Sequence, residues 1–379
     1  MQLQLPSHQL TILKRDLIIK CVCVCWIITK LLCYNLWLAY RLFPLAPVHD
    51  VLQYVPTSVH AIIFWLSLLC MGLLILFPRK KIVVVLLVAE LLSCMLDQNR
   101  WQPWEYQFLC MLAVFVFIED EKKRRLSWQL IIVGIYFFSG LSKCSSNFIH
   151  NVWQVLLLQQ YFGVNHIGIW LSRAGYLIPF IEMFAGIALC FGRTRKMAVW
   201  LLCAMHLFNL LVFGPAGLNI NAVIWPWNIL MPVLLFGLFY KDGIHFFDKV
   251  LWRPVYTWVM LLCWWILPWL QLWGLWDKYL SGVLYSGSVE YMYICTDDLP
   301  ARLHLSSGFV YTAKAIPCAD ALSVYKWGMQ EMNTAPYPEP RVYRSIANAW
   351  NKLYPNPTNR FYLVRAGFSM QVKELIVGP

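Results

Sequence analysis

Charge is what this chain has least of: 13% of its 379 residues are charged while 60% are hydrophobic and 16% aromatic. Those proportions exclude an ordinary soluble protein and make lipid the solvent of most of the chain. Other absences narrow the field. No internal repeat or low-complexity segment is visible, which excludes solenoids and arrays, and without an inverted repeat a transporter is disfavoured. No Gly-rich phosphate loop follows a strand, and Cys21, Cys23 and Cys25 lack metal-ligand spacing, so nucleotide, flavin, haem and zinc chemistry have no signature and no metal is expected. No Asn-x-Ser/Thr acceptor with a permitted middle residue occurs, which favours a bacterial cytoplasmic membrane over the secretory pathway. Acidic residues are scarce too, 19 against 31 Lys and Arg. A basic excess often marks nucleic-acid binding, but here the basic residues sit in short clusters between apolar runs, and no nucleic-acid partner is expected.

What is present is a series of apolar runs between about Leu17 and Trp273, each near the roughly 20 residues that cross a bilayer. They predict an all-α polytopic membrane bundle of about nine spans, at 17–40, 58–77, 82–97, 104–118, 126–143, 170–192, 197–214, 222–240 and 252–273, within a domain covering 1–275. The clusters at Lys14 and Arg15, Arg79 to Lys81, Lys122 to Arg125, Arg193 to Lys196, and Lys241 and Lys249 then share one side, expected to be cytoplasmic with the N-terminus. The basic start followed by an apolar stretch resembles a signal peptide, but the stretch is long and lacks a small-residue cleavage pattern, so it reads as a retained helix.

After Asp277 charged and turn-forming residues become frequent, and 276–379 is expected to form a small α+β domain outside the membrane. SVEYMYIC, GFVYTAK and RFYLVRAGF alternate with period two and predict strands; Cys318 to Met332 and Arg341 to Leu353 are expected as helices. Eleven of 13 cysteines lie in or beside apolar runs and read as small packing residues. Cys295 and Cys318 face an oxidising compartment in this topology and are a disulfide candidate. The stretch 147–161, NFIHNVWQVLLLQQY, suits a helix lying at the outer interface.

Ionisable side chains inside a bilayer are costly, so those that persist carry information. Three groups stand out. LDQNRWQPWEYQF sets Asp97, Arg100 and Glu105 beside Trp101 and Trp104, either as a hydrogen-bonded interfacial turn or as a substrate contact at the outer mouth. YFFSGLSKCSSNF carries Gly140, which permits close helix approach, and Lys143, which either snorkels to the headgroups or is buried and available as a base. Glu182 on one span and His206 with Asn209 on the next open toward GPAGLNINAVIWPWN, a Gly- and Pro-broken segment containing Trp225, Trp227 and Asn228. Convergence of Lys143, Glu182 and His206 on one outward-opening cavity would let them share water and hydrogen bonds.

These tracts resemble the membrane domain shared by vitamin K-dependent gamma-carboxylase and the horizontally transferred transmembrane (HTTM) family, over about 126–240. YFFSGLSK is similar to the family's Tyr-Phe-x-Ala-Gly-x-x-Lys motif with Ser139 in place of Ala, and MHLFNLLVFGPAGLNINAVIWPW to its His-containing span with a Gly and a Pro-aromatic pair. LYSGSVEYMYI after the last span resembles the family's passage into its exterior β segments. The resemblance implies Lys143 as base, His206 and Asn209 at the family's His and Asn positions, and an outward-opening cavity near Lys143 and His206 for a quinone such as menaquinone or a vitamin K-like lipid. The C-terminal region of roughly 100 residues is much smaller than the carboxylase's exterior region, so glutamate carboxylation is not implied. A more distant likeness to DoxX-type and MauE-type redox-associated bundles rests on architecture alone.

Two functions follow as expectations. One is a membrane enzyme, quinone-linked or carboxylase-like, with Lys143, His206 and Glu182 exchanging protons and with Asp97, Arg100, Trp101, Glu105, Asn209, Trp225, Trp227 and Asn228 shaping the substrate site. The alternative is a non-catalytic membrane subunit whose outer domain docks an exported or membrane protein. Membrane lipids surround it in either case.

Overall fold

With no water in hydrocarbon to satisfy backbone amides, the apolar runs fold as helices. The computed structural model describes residues 7–240, 255–283, 285–297, 310–311, 316–318, 321–365 and 371–376. Lys241, Lys249, the first residues of the expected 252–273 span and most of GFVYTAK lie outside the described residues.

The helices are α1 (Ser7–Leu32), α2 (Thr57–Leu76), α3 (Lys80–Leu96), α4 (Pro103–Phe117), α5 (Glu121–Lys143), α6 (Phe148–Tyr161), α7 (Leu177–Ala188), α8 (Arg195–Phe213), α9 (Ala222–Tyr240) and α10 (Val255–Trp273). Five of them, α2, α5, α8, α9 and α10, are long and apolar enough to cross a membrane. The other expected spans depart from that standard for local reasons. The first helix starts earlier than expected, carries Arg15, Asp16, Lys20 and Lys30, and breaks at Cys33 before a short helix, Tyr34–Leu38. The expected 170–192 span is two pieces, Ile169–Ala174 and α7, parted at Gly175, where the chain runs so close to Trp153 that a Cβ would lie 2.5 Å from its ring.

Basic residues gather at one end of the bundle. Lys80 pairs with Glu119 at 3.1 Å, Arg125 donates to the Leu238 carbonyl at 2.8 Å, and Lys196 lies 5.9 Å from the Tyr240 ring. The opposite end carries the turn at 97–102, α6 and the C-terminal region.

That region contains an antiparallel sheet of β1 (Tyr291–Cys295), β2 (Val310–Tyr311), β3 (Ala321–Ser323), β4 (Arg360–Arg365) and β5 (Gln371–Glu374), in the order β2-β3-β1-β4-β5. Two helices follow the third strand, α11 (Val324–Met332) and α12 (Pro340–Leu353). The helix expected from Cys318 begins six residues later, because 321–323 pairs with β1 and the Ser323 side chain caps α11 by accepting from the Lys326 amide. On α12, Val342, Tyr343, Ile346, Ala347 and Trp350 form one buried face, the 3–4 spacing of a helix packed on one side. The Trp350 ring meets Trp327 edge-on at 5.6 Å, and Trp327 meets Phe43 at 4.8 Å, so this core is continuous with that of the helical bundle. Cys295 and Cys318 form a disulfide with Cα atoms 6.1 Å apart.

The turn at 97–102 is the seat of the C-terminal region rather than a mouth. Asn99 Oδ1 accepts from the Tyr337 amide at 3.0 Å, Gln102 donates to the Ala335 carbonyl at 3.0 Å, and Gln98 accepts from Arg341 at 2.8 Å. Asp277 receives both Arg341 and the Tyr337 hydroxyl.

Candidate functional site

On α5, Tyr136, Ser139, Gly140 and Lys143 fall at i, i+3, i+4 and i+7 and share a face. The crossing of α5 and α7 there is tight because two glycines remove the side chains that would hold the helices apart. A Cβ on Gly140 would sit 2.7 Å from the Met183 amide and the Pro179 carbonyl, and one on Gly186 would sit 2.7 Å from Tyr136 Cβ. This contact brings Lys143 Nζ to 2.6 Å from Glu182 Oε2, with Ser139 Oγ at 2.8 Å. The side chains are 14% and 5% exposed, so the ion pair is largely desolvated.

Across the cavity, His206 is held at both nitrogens. Asn228 donates its amide to the Ile224 carbonyl, which turns its Oδ1 toward His206 Nδ1 at 2.8 Å. That oxygen can only accept, so Nδ1 carries the hydrogen and Nε2 accepts from the Tyr136 hydroxyl at 2.7 Å. Asn209 adds a longer contact to the same Asn228 oxygen, 3.4 Å. The Trp227 ring stands edge-on to His206 and its indole donates to Gln107 at 2.7 Å.

Lys143, Glu182, His206, Asn209, Trp227 and Asn228 all line one cavity of about 320 Å³, within the size range of small-molecule sites. Most of the remaining wall is apolar. Two expectations change. Lys143 is paired with Glu182 rather than set beside His206, because the glycine contact joins α5 to α7. The opening also differs: Phe148, Leu157, Phe213 and Ile224 are buried at the outer end, roofing it beneath α6, whereas the lining residues Ile181, Leu201, Ala204 and Phe208 are exposed on the flank of α7 and α8. The cavity therefore opens sideways, onto the exposed apolar flank of α7 and α8.

The remaining candidates lie elsewhere. Trp225 does not line the cavity; it donates to the Phe213 carbonyl at 3.0 Å and packs against the buried cluster of Leu157, Val212, Phe213 and Ile224. Asp97, Arg100 and Glu105 are wholly buried and do not touch it, so they cannot meet a substrate there. Asp97 pairs with Arg41 and accepts from Asn99; Arg100 spends all five N–H groups on Leu36, Trp37, Ser93 and His60; Glu105 accepts from Trp26. Trp101 is half-buried against a separate apolar groove between α3 and α4. Tyr136 is the member that sequence reasoning missed, although its seven-residue spacing from Lys143 was readable.

Compared with known proteins, the chain matches no family model, no curated protein and no solved structure.

The chemistry open to these residues is proton exchange with an uncharged or anionic ligand. An ammonium has three N–H groups; Ser139 and Glu182 take two, leaving one for an oxygen in the cavity. Glu182 supplies the compensating charge. His206 has no free nitrogen and holds the Tyr136 hydroxyl in place.

Proposed function

We propose that this is an integral membrane protein of the HTTM type, with nine spans, its basic ends on the cytoplasmic side of a bacterial membrane and its sheet outside, which binds a quinone-like lipid and exchanges protons with it. One observation carries the reading: an ion pair and a polar triad, Lys143–Glu182 and Tyr136–His206–Asn228, line one apolar cavity that opens on the exposed flank of α7 and α8. A lipid-soluble ligand reaches such a site without crossing water. Lys143 donates a proton to a ligand oxygen or takes one back, Glu182 balances its charge, and the Tyr136 hydroxyl, whose hydrogen goes to His206, accepts from the O–H of the reduced, quinol form.

The test is lipid analysis of gently extracted protein. A quinone should co-purify with the natural chain and be lost from Ala204→Trp, which fills the side opening. Lys143→Met should keep the lipid and lose function in cells. Absence of quinone from the natural chain, or an unchanged Lys143→Met phenotype, would overturn the reading.

One feature favours the docking alternative: a groove of about 540 Å³ between the 45–53 segment and α12, lined by Asp50, Gln53, Asn348, Asn351 and Lys352. If an exported protein seats there, cross-linkers placed at Asn348 should capture it whatever residue stands at position 143.

A further inference from the structure

A second polar centre lies in the bundle away from the cavity, where α1, α3 and α4 meet. Lys30 and Glu90 are wholly buried, with Nζ 2.8 Å from Oε2. Glu105, equally buried, accepts from the Trp26 indole on its own Oε2 at 2.7 Å. Trp26 and Lys30, one turn apart on α1, hold the two carboxyl groups against the same face of that helix, yet the second oxygen of each, Oε1, has no hydrogen-bond partner. The other titratable or charged groups around the pair are Cys33 beyond the end of α1, Cys70 on α2, Cys94 on α3 and Arg100 in the turn. Arg100 has no N–H left for either carboxyl, since all five are taken by Leu36, Trp37, Ser93 and His60.

Two neighbouring carboxylates without a donor between them would leave two buried acceptors unsatisfied and set like charges side by side, with a single ammonium touching one of them. Lys30 fixes which of the two stays ionised, because it contacts Glu90 alone. We propose that Glu90 and Glu105 form a proton-binding site that holds one proton between them, Glu105 as the acid and Glu90 as the carboxylate paired with Lys30. The proton turns two orphaned oxygens into one O–H···O hydrogen bond and leaves the Lys30–Glu90–Glu105 set neutral. A small cation between the oxygens would answer the same deficit, so the test separates the two.

Infrared difference spectroscopy of the full chain in lipid nanodiscs, natural against Glu105→Gln, should show the C=O stretch of one protonated carboxyl that shifts in heavy water and is absent from the variant. The melting temperature of Glu105→Gln should stay close to that of the natural chain, because its amide N–H supplies the same donor to Glu90. Glu90→Gln should lower the melting temperature and also remove the band, as Glu105 ionises to pair with Lys30. Should Glu105→Gln fail to fold, Trp26→Phe keeps both acids and should move the band by removing the indole hydrogen bond. No protonated-carboxyl band, or one unmoved by these changes, would overturn the proposal. So would a melting temperature that rises with sodium over choline in the natural chain and not in Glu105→Gln, the signature of a bound cation. None of these readings depends on Lys143 or the cavity.

Discussion

The Lys143–Glu182 pair gives a quantitative test of how the cavity is held. Its atoms are 2.6 Å apart and its side chains 14% and 5% exposed, so neither charge is well hydrated. Removing one partner of a buried pair costs about 3–5 kcal/mol, because the other is left charged in a low-dielectric site. Lys143→Met keeps most of the side-chain volume and strands Glu182, so about 3 kcal/mol of stability should be lost. Glu182→Gln is milder, since the ammonium keeps Ser139 and gains a neutral acceptor; about 1–2 kcal/mol is expected. The double variant strands no charge and should be more stable than Lys143→Met alone, giving a coupling of about 2 kcal/mol or more in a double-mutant cycle. Thermal unfolding in nanodiscs measures all four proteins. Effects that add to within about 0.5 kcal/mol would refute the desolvated pair, as would a Lys143→Met protein as stable as the natural chain.

Other changes test the surrounding frame. Gly140→Val should force α5 and α7 apart and cost about 1–3 kcal/mol or more by overpacking, visible as a lowered melting temperature. Cys295→Ala should destabilise the sheet by about 3 kcal/mol and free one thiol for labelling at position 318. Asn99→Ala leaves the buried Tyr337 amide without its acceptor, so about 1–3 kcal/mol should be lost and α11 and α12 should become easier to cleave in limited proteolysis. Cysteines placed at 80 and 123 should resist impermeant reagents in intact cells.

Much of the site was legible because it rests on short-range spacing and on the cost of charge in lipid. The face joining Ser139, Gly140 and Lys143 follows from helical periodicity, and Glu182 and His206 stood out as ionisable groups in apolar runs. Tyr136 did not, since a tyrosine in such a run needs no special explanation; its role appears only once Asn228 occupies the other nitrogen of His206. For Asp97, Arg100 and Glu105 the sequence leaves a hydrogen-bonded turn and a substrate mouth both open, because their partners, among them Arg41 and Trp26, lie tens of residues away, and those of the adjoining Asn99 and Gln102 more than 230. Periodicity carries no information on such pairings. Ala321–Ser323 is too short to show alternation, and the break at Gly175 reflects contact with Trp153 rather than any local preference.

The seat beneath the C-terminal region also bears on the order of synthesis. Leu32, Asn99 and Gln102 are made early, yet their partners Asn333, Tyr337 and Ala335 leave the ribosome 233 to 301 residues later. Until then Leu32, Asn99 and Gln102 lack these partners, and water must stand in for them. A segment made late is thus the one that closes the first helices, so a chain cut short before Asn333 would present an open polar turn that membrane quality-control proteases can recognise.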